Sequence, residues 1–366
     1  MPPSPRKRSK NLTINDVAKL AGVSYQTVSR VLNGMPDVSP VTRERVQTIL
    51  QDVGFRPNMT ARQLATQRST TIGLVTFATM FYGPSQILTQ SEQAAKEIGL
   101  SFMFSGIVDQ STQEIRRAVN DLCAHQVCGI LIHLPLALNL RDLQDACRNV
   151  PVVAVDSDFG FSCPSVFINQ EAGSRKATRH LIECGHRKIA YLRGPVLWRA
   201  AKLRYAGWLK ELKANGLKPG PVVEGDWTAS SGFDAAKRLA AESWGKWTAV
   251  VVANDQMALG AIRAFEEAGI RVPEAASLIG FDDIPEAGFF RPPLSTIKQD
   301  FAALGQLSVQ RLIAQVDPNY VPPRIRTIQP MLIERQSSAP PSVASIRVTA
   351  LNGAPSRLST THPRPD

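Results

Sequence analysis

From Thr71 to about residue 335 the chain alternates short apolar runs with stretches of helical period. TIGLVTF (71–77), LSFMFSG (100–106), VCGILIHL (127–134) and VPVVAVD (150–156) read as buried strands, with helices expected near 84–98, 111–126 and 139–147. A second set follows: SVFIN (165–169), KIAYLRG (188–194), TAVVVAN (248–254) and ASLIGFDD (276–283), with helices near 171–184, 201–215, 230–242 and 255–269. TIKQDF, a helix from about 301 to 316 and two last strands near 324–328 and 330–335 complete the array. Alternation of this kind calls for parallel sheets wrapped by right-handed crossovers. The expected fold is α/β, two similar doubly wound subdomains: about 70–168 with 301–327, and about 169–300 with 328–336.

Ahead of this array, residues 12–34 read LTINDVAKLAGVSYQTVSRVLNG. Ile14, Val17, Ala18 and Ala21 recur at helical spacing, with Thr13 placed to cap and Asp16 in the first turn. Gly22 breaks the pattern. Ser24 can cap a second helix with Val23, Val28, Val31 and Leu32 on its apolar side, and Asn33-Gly34 ends it. A third helix is expected from about Pro40 to Asp52, capped by Ser39, with Val46, Ile49 and Leu50 closing a three-helix core. Two short helices joined by a glycine-containing turn form a helix-turn-helix. Its second helix carries Tyr25, Gln26, Thr27, Ser29 and Arg30, side chains that bond base edges and phosphates. Thr13, Ser24, Asn33 and Ser39 complete the expected DNA-facing set. Periodicity alone admits any small helical hairpin as well.

Charge separates the two readings. The 366 residues carry a formal net charge of +11, and residues 1–68, with eleven Lys/Arg against four Asp/Glu, hold +7 of it. A basic head on a near-neutral body fits a polyanionic partner. The first eleven residues, MPPSPRKRSKN, and the Ser/Pro/Ala-rich residues 337–366 are expected to be disordered. The basic N-terminal tail either adds phosphate contacts or is simply solvated. No apolar run approaches the roughly 18 residues that cross a bilayer, and the basic N-terminus lacks the apolar core of a secretory signal. Cysteines at 123, 128, 147, 163 and 184 show no paired metal spacing, which fits reduced thiols in a cytoplasm. Neither metal nor cofactor is expected.

Between head and array lies FRPNMTARQLATQRSTT (55–71), in which Asn58 can cap a short helix to about Ala65. Spacing alone favours a plain linker, because helices this short are marginal in water. Five blocks then occur in order along the chain: AGVSYQTVSRV, GPSQI, EGDWTASSGF, VANDQMALGA and STIKQDF. With these the chain resembles the LacI/GalR family of bacterial transcription regulators, over roughly residues 12–336. The resemblance implies a DNA-binding domain (12–57), a hinge helix and linker (58–69) and an effector domain (70–336) with the fold of periplasmic sugar-binding proteins. In the hinge, Leu64 takes the position of a minor-groove wedge, with Asn58 as cap and Ala61 allowing close helix approach. The implied partners are a near-palindromic double-stranded operator and a second copy of the chain, in the bacterial cytoplasm at the nucleoid. Some members end in a leucine-heptad helix that joins dimers into tetramers. Prolines at 340, 341, 355, 363 and 365 interrupt any helix here, so a homodimer is expected.

Ligands of open α/β sheets bind outside the carboxyl ends of the strands. Those ends offer His133, Asp156, Arg193, Asn254 with Asp255, and Asp282 with Asp283, and Trp227 could face the apolar side of a sugar ring. Any one of these can equally be a turn former. The resemblance implies that Arg204, Asn254 and Asp282 meet sugar hydroxyls. It places Asp156, Trp227, Gln299 and Phe301 in the same pocket, with Pro84 and Ile87 on the opposite wall. His133, Trp198 and Ala200 stand where the most similar sugar-responsive pattern has Asn and two serines.

The implied function is a repressor of a sugar-utilisation operon, released from DNA by a small sugar, with a galactoside favoured. A ligand that tightens DNA binding, sugar or nucleobase, is the alternative sign. A free sugar-binding protein would have the fold but no use for a helix-turn-helix. A glycosidase using Asp156 and Asp282 would need an activated nucleophile or acid–base pair that no motif supplies, so no enzyme is expected.

Overall fold

The computed structural model describes residues 12–32, 34–55, 69–109, 111–136, 147, 150–157, 159 and 163–342. The chain divides after Ser69 into two compact units.

The first unit holds three helices, α1 (Ile14–Ala21), α2 (Tyr25–Leu32) and α3 (Pro40–Asp52). Each begins on a hydroxyl that accepts a backbone N–H from three residues on. Thr13 and Asp16 cap each other reciprocally, Ser24 Oγ accepts from Thr27 N at 3.1 Å, and Ser39 Oγ accepts from Thr42 N at 3.3 Å. Gly22 ends α1 in the left-handed region at φ 62°, which glycine adopts without strain. Val17, Val28 and Val46, one from each helix, are fully buried at the centre.

The second unit contains two parallel sheets. β1 (Thr71–Phe77), β2 (Ser101–Ile107), β3 (Gly129–His133), β4 (Val152–Val155), β5 (Ser165–Ile168) and β11 (Thr327–Ile328) form the first, in the order β11-β5-β4-β3-β1-β2. Alternate residues enter opposite cores, as the pleat requires. Leu74, Leu131 and Val153 pack under α4 (Tyr82–Glu97) and α10 (Phe301–Val316), while Val75, Ile130 and Val152 pack under α5 (Thr112–Ala124). The second sheet is β7 (Val222–Glu224), β6 (Ile189–Arg193), β8 (Ala249–Val252) and β9 (Ser277–Ile279). On it lie the packed helix pairs α6 (Gln170–Glu183) with α7 (Arg199–Ala214), and α8 (Ala229–Ser243) with α9 (Asp255–Glu267). A Cβ on Gly260 would run into the Ala229 carbonyl, so glycine there sets the closeness of α8 and α9. An antiparallel pair, β10 (Thr296–Lys298) with β12 (Met331–Ile333), completes this subdomain.

The chain passes between the subdomains three times: from β5 to α6, from β10 to α10, and from β11 to β12. The described elements follow the expected alternation, with β7 and β10 as additional short strands; SVFIN, grouped with the second set, instead pairs with β4 as β5 of the first sheet. The helix expected near 139–147 falls almost wholly outside the described residues, as do residues 1–11 and 343–366. Residues 337–342, expected to be disordered, are described and folded. Ser337 is fully buried. Leu278 N donates to its carbonyl at 2.7 Å, and its own hydroxyl donates to Leu278 O at 2.7 Å. Ala339 N donates to Ser277 Oγ at 3.0 Å. A serine that made this stretch look disordered instead satisfies both backbone groups of Leu278 at the edge of β9, one with its carbonyl and one with its hydroxyl. Among the described residues, no helix is long and apolar enough to cross a membrane.

Candidate functional site

The carboxyl ends of both sheets face one cleft between the subdomains, with about 580 Å³ of space between its walls, part of it open to solvent. All ten residues expected at a ligand, Pro84, Ile87, His133, Asp156, Arg204, Trp227, Asn254, Asp282, Gln299 and Phe301, line it. Trp198 and Ala200 line it too. So do Phe81, Tyr82, Gln170 and Arg199, which sequence patterns did not single out.

One end of the cleft is a continuous polar chain. Arg204, only 5% exposed on α7, donates from Nε to Gln170 Oε1 at 2.9 Å and from Nη1 to the Ala253 carbonyl at 2.5 Å. Its Nη2 lies 3.3 Å from Asp282 Oδ1, and its guanidinium covers the Phe281 ring at 3.7 Å. Gln299 Nε2 donates to Asp282 Oδ1 at 2.7 Å. Gln170 Nε2 lies 2.8 Å from Gln299 Oε1 and 3.1 Å from Asp156 Oδ2. Gln170 and Gln299 stand at two of the three crossovers, so the chain of bonds runs from a carboxylate of one subdomain to a carboxylate of the other. Burial pushes both carboxyls up to about 6; for Asp156 the Arg199 charge opposes it, and for Asp282 the Arg204 charge does. Asp156, Trp227 and Asp282 all hold positive φ (46°, 80° and 122°), backbone that costs a non-glycine residue energy and persists where surrounding contacts impose it.

Several groups there have bonding capacity to spare. Trp227 Nε1 and Arg199 Nη1 are buried donors with no hydrogen-bond partner among the described residues. Burial lowers the His133 pKa to about 4, so the ring is neutral, with Nδ1 3.2 Å from Thr76 Oγ1. Asn254 serves the scaffold as well: Oδ1 caps α9 through Met257 N at 3.1 Å, and Nδ2 donates to the Trp227 carbonyl at 2.9 Å. Gly194 lies flat against the Trp227 ring, which a Cβ would penetrate.

Aromatic rings line the same cleft. The Trp198 ring meets Phe81 edge-on at 5.5 Å and Trp227 at 5.6 Å, and Tyr82 meets Phe301 at 6.0 Å.

Three strand-end residues do not line the cleft. Arg193 sits over the Tyr205 ring at 4.8 Å. Asp283 is held by Arg335 Nη2 at 2.7 Å. Asp255, fully buried, accepts from Thr296 Oγ1 at 2.6 Å and Ile284 N at 2.9 Å. These are structural ties, so position at a strand end did not suffice for them.

In the helical unit Ser24, Tyr25, Gln26 and Arg30 are exposed along the start and outer face of α2, while Thr27 and Ser29 are half-buried. Thr13, Ser24 and Ser39 are helix caps, and Thr27 Oγ1 lies 2.9 Å from Ser24 Oγ. Asn33, Asn58, Ala61 and Leu64 lie outside the described residues. Among the described residues, no group of three or more His, Cys, Asp and Glu side chains could hold a metal ion.

Comparison with known proteins bears on both units. Residues 13–58 match the model for bacterial regulatory proteins of the lacI family, and residues 178–338 match a periplasmic binding protein-like domain. The chain is 39% identical to the lactose operon repressor of Escherichia coli (strain K12), over 93% of this chain and 95% of that protein. The lac repressor dimer bound to operator and the anti-inducer ONPF superimposes with a TM-score of 0.80 at 39% identity, covering 90% of this chain and all of that one. The complex of the transcriptional regulator CelR with cellobiose does so with a TM-score of 0.65 at 30% identity, covering 89% of this chain and all of that one.

Proposed function

The chain belongs to the lacI family of bacterial regulatory proteins, and on that premise we propose that it is a transcriptional repressor of a sugar-utilisation operon, released from its operator when a galactoside enters the cleft. Its relatives are regulators, not enzymes. The observation that carries the reading is the polar chain Asp156–Gln170–Gln299–Asp282–Arg204 beside the unspent donors of Trp227 and Arg199. Carboxylates, amides and a guanidinium fork match the paired donors and acceptors of adjacent sugar hydroxyls. A sugar held by Asp156 on one side and by Arg204 and Asp282 on the other interacts with both subdomains at once. Its affinity then depends on their relative position, which is the condition for shifting a two-state equilibrium.

The DNA-facing surface in this reading is the exposed side of α2, with Tyr25, Gln26 and Arg30 at base edges. Two copies of the chain, a dimer and not a tetramer, place two such helices on a near-palindromic operator in the cytoplasm. In this reading a change in the cleft reaches the DNA-binding unit through the expected hinge and linker, residues 58–69.

The test is selection of the operator from genomic fragments, followed by operator binding with and without saturating galactosides, glucosides and nucleobases. Release by a galactoside supports the proposal. A ligand that tightens operator binding instead would make the protein a corepressed regulator.

A further inference from the structure

Resting on the sugar reading of the cleft, we propose that Trp198 is the specificity-determining residue and that the favoured effector is a glycoside with a flat apolar aglycone, an aryl glycoside.

Trp198 is fixed before any ligand arrives. It precedes α7 in the second subdomain, yet its backbone bridges antiparallel to Leu136 of the first. The next residue, Arg199, donates its N–H to the Pro135 carbonyl at 2.7 Å. The backbone that carries the half-buried indole is thereby tied to both subdomains, and Phe81 and Trp227 pack against the ring itself. Around it stand Phe77 at 6.5 Å and Phe81 at 5.5 Å from the first subdomain, and Trp227 at 5.6 Å from the second, at interplanar angles of 54°, 86° and 66°. Rings so inclined do not stack flat on one another. They form an apolar corner into which a further ring can fit with face or edge contacts.

Most charged and amide groups of the cleft belong to the polar chain around Arg204 and Asp282; beside Trp198 the charged group is Arg199, which faces Asp156 at 3.8 Å. Near Trp198 the wall is Phe81, Trp227 and Pro135, with Arg199 and Ala200 as the first two residues of α7. A second sugar ring there would bring several hydroxyls out of water to a wall with few side-chain partners, which costs more than its apolar face recovers. An aryl group loses nothing polar and gains contact with Trp198 and Phe81. The cleft thus reads as two subsites, a polyhydroxylated ring at Arg204 and Asp282, and an aromatic group at Trp198.

The experiment is calorimetric titration of the full-length protein with matched pairs, methyl and 4-nitrophenyl β-D-galactopyranoside and the corresponding glucosides, and with lactose. The wild type is expected to bind the nitrophenyl member of the pair it accepts about tenfold tighter than the methyl member, and tighter than lactose. Trp198→Ser should bring the pair within about threefold, chiefly by weakening the nitrophenyl compound, while Trp198→Phe keeps most of the preference. A thermal melt beside each titration confirms a folded protein, and Trp198→Leu, apolar but without a ring, carries the test in place of Trp198→Ser if the serine variant does not fold. Equal affinity of the wild type for both members of a pair, or an undiminished preference in Trp198→Ser, overturns the role of Trp198 and leaves the sugar reading standing. Failure of the wild type to bind any glycoside removes the sugar reading, and this proposal with it.

Discussion

The DNA-binding unit and the cleft are held together over different distances along the chain. In the small helical unit the ordering bonds join Thr13 to Asp16, Ser24 to Thr27 and Ser39 to Thr42, each pair three residues apart. In the cleft Gln170 joins Gln299 across 129 residues, Arg204 joins Ala253 across 49, and Arg204 joins Gln170 across 34. Local bonds set the start of a helix one at a time and are nearly independent. Long-range bonds share partners, so the loss of one leaves others unmatched. Damage should therefore be large and shared in the cleft, and small and confined in the helical unit.

Arg204→Ala is the severest test. It strips Asp282 of its buried cation and Gln170 of its donor, and breaking a buried pair from one side costs about 3–5 kcal/mol. The variant should melt well below the wild type and, where folded, stay on its operator in the presence of galactoside. A normal melt with normal release would show the cleft bonds to be as separable as helix caps.

The carboxyls come next. Both are held up at about 6, against an ordinary 3.8, so the folded protein keeps protons that the unfolded chain has already released. Stability should fall as pH rises from about 4 to about 6, and the penalty is complete above that window. Two pH units correspond to about 3 kcal/mol per carboxyl as an upper figure. Urea midpoints at pH 4.5, 5.5 and 7 should show this slope, reduced in Asp156→Asn. Parallel profiles for the two proteins would locate the slope elsewhere.

Gly194→Ala should cost about 1–3 kcal/mol, because the new methyl meets the Trp227 ring and must displace it. Tryptophan fluorescence should shift and ligand affinity should drop. Unchanged emission together with unchanged affinity would mean that Trp227 can yield without consequence. The smallest effect is expected from Thr13→Ala, which removes one reciprocal cap at about 1 kcal/mol. It should weaken operator binding slightly and leave sugar binding untouched. Any loss of sugar affinity in this variant would break the contrast between the two regions.

The same contrast explains what could be read without coordinates. Helix α1 was expected at Ile14–Ala21 and α3 at Pro40–Asp52, and the structure has them there, because cap, apolar stripe and terminating glycine all lie within the segment itself. The buried strands were legible from their Val/Ile/Leu runs to within a few residues. β7 was not, being three residues long with both end residues exposed. In the cleft, the ten expected residues do line one space, drawn from the strand ends and from the resemblance. Gln170 and Arg199 were missed: each looks like an ordinary residue at a helix start until Gln299 or Asp156 is brought beside it by the fold. Asp282 and Asp283 were half legible. As neighbours at a strand end they are expected to point to different sides, and they do, Asp282 lining the cleft and Asp283 turning to Arg335; which of the two meets the cleft came from the resemblance, not from the alternation.

The three crossovers also set the order in which the protein can be completed during synthesis. The first sheet has its central strands by Ile168, but α10, which covers one face of β3, β4 and β5, begins only at Phe301, and the edge strand β11 comes later still. At roughly 5–20 residues per second, the intervening 130 or so residues take roughly 7–26 s to emerge from the ribosome. During that interval Leu131, Val153 and Val166 lack the helix that later buries them. Chaperone occupancy on nascent chains stalled between 170 and 300 should therefore exceed that on chains stalled after 330.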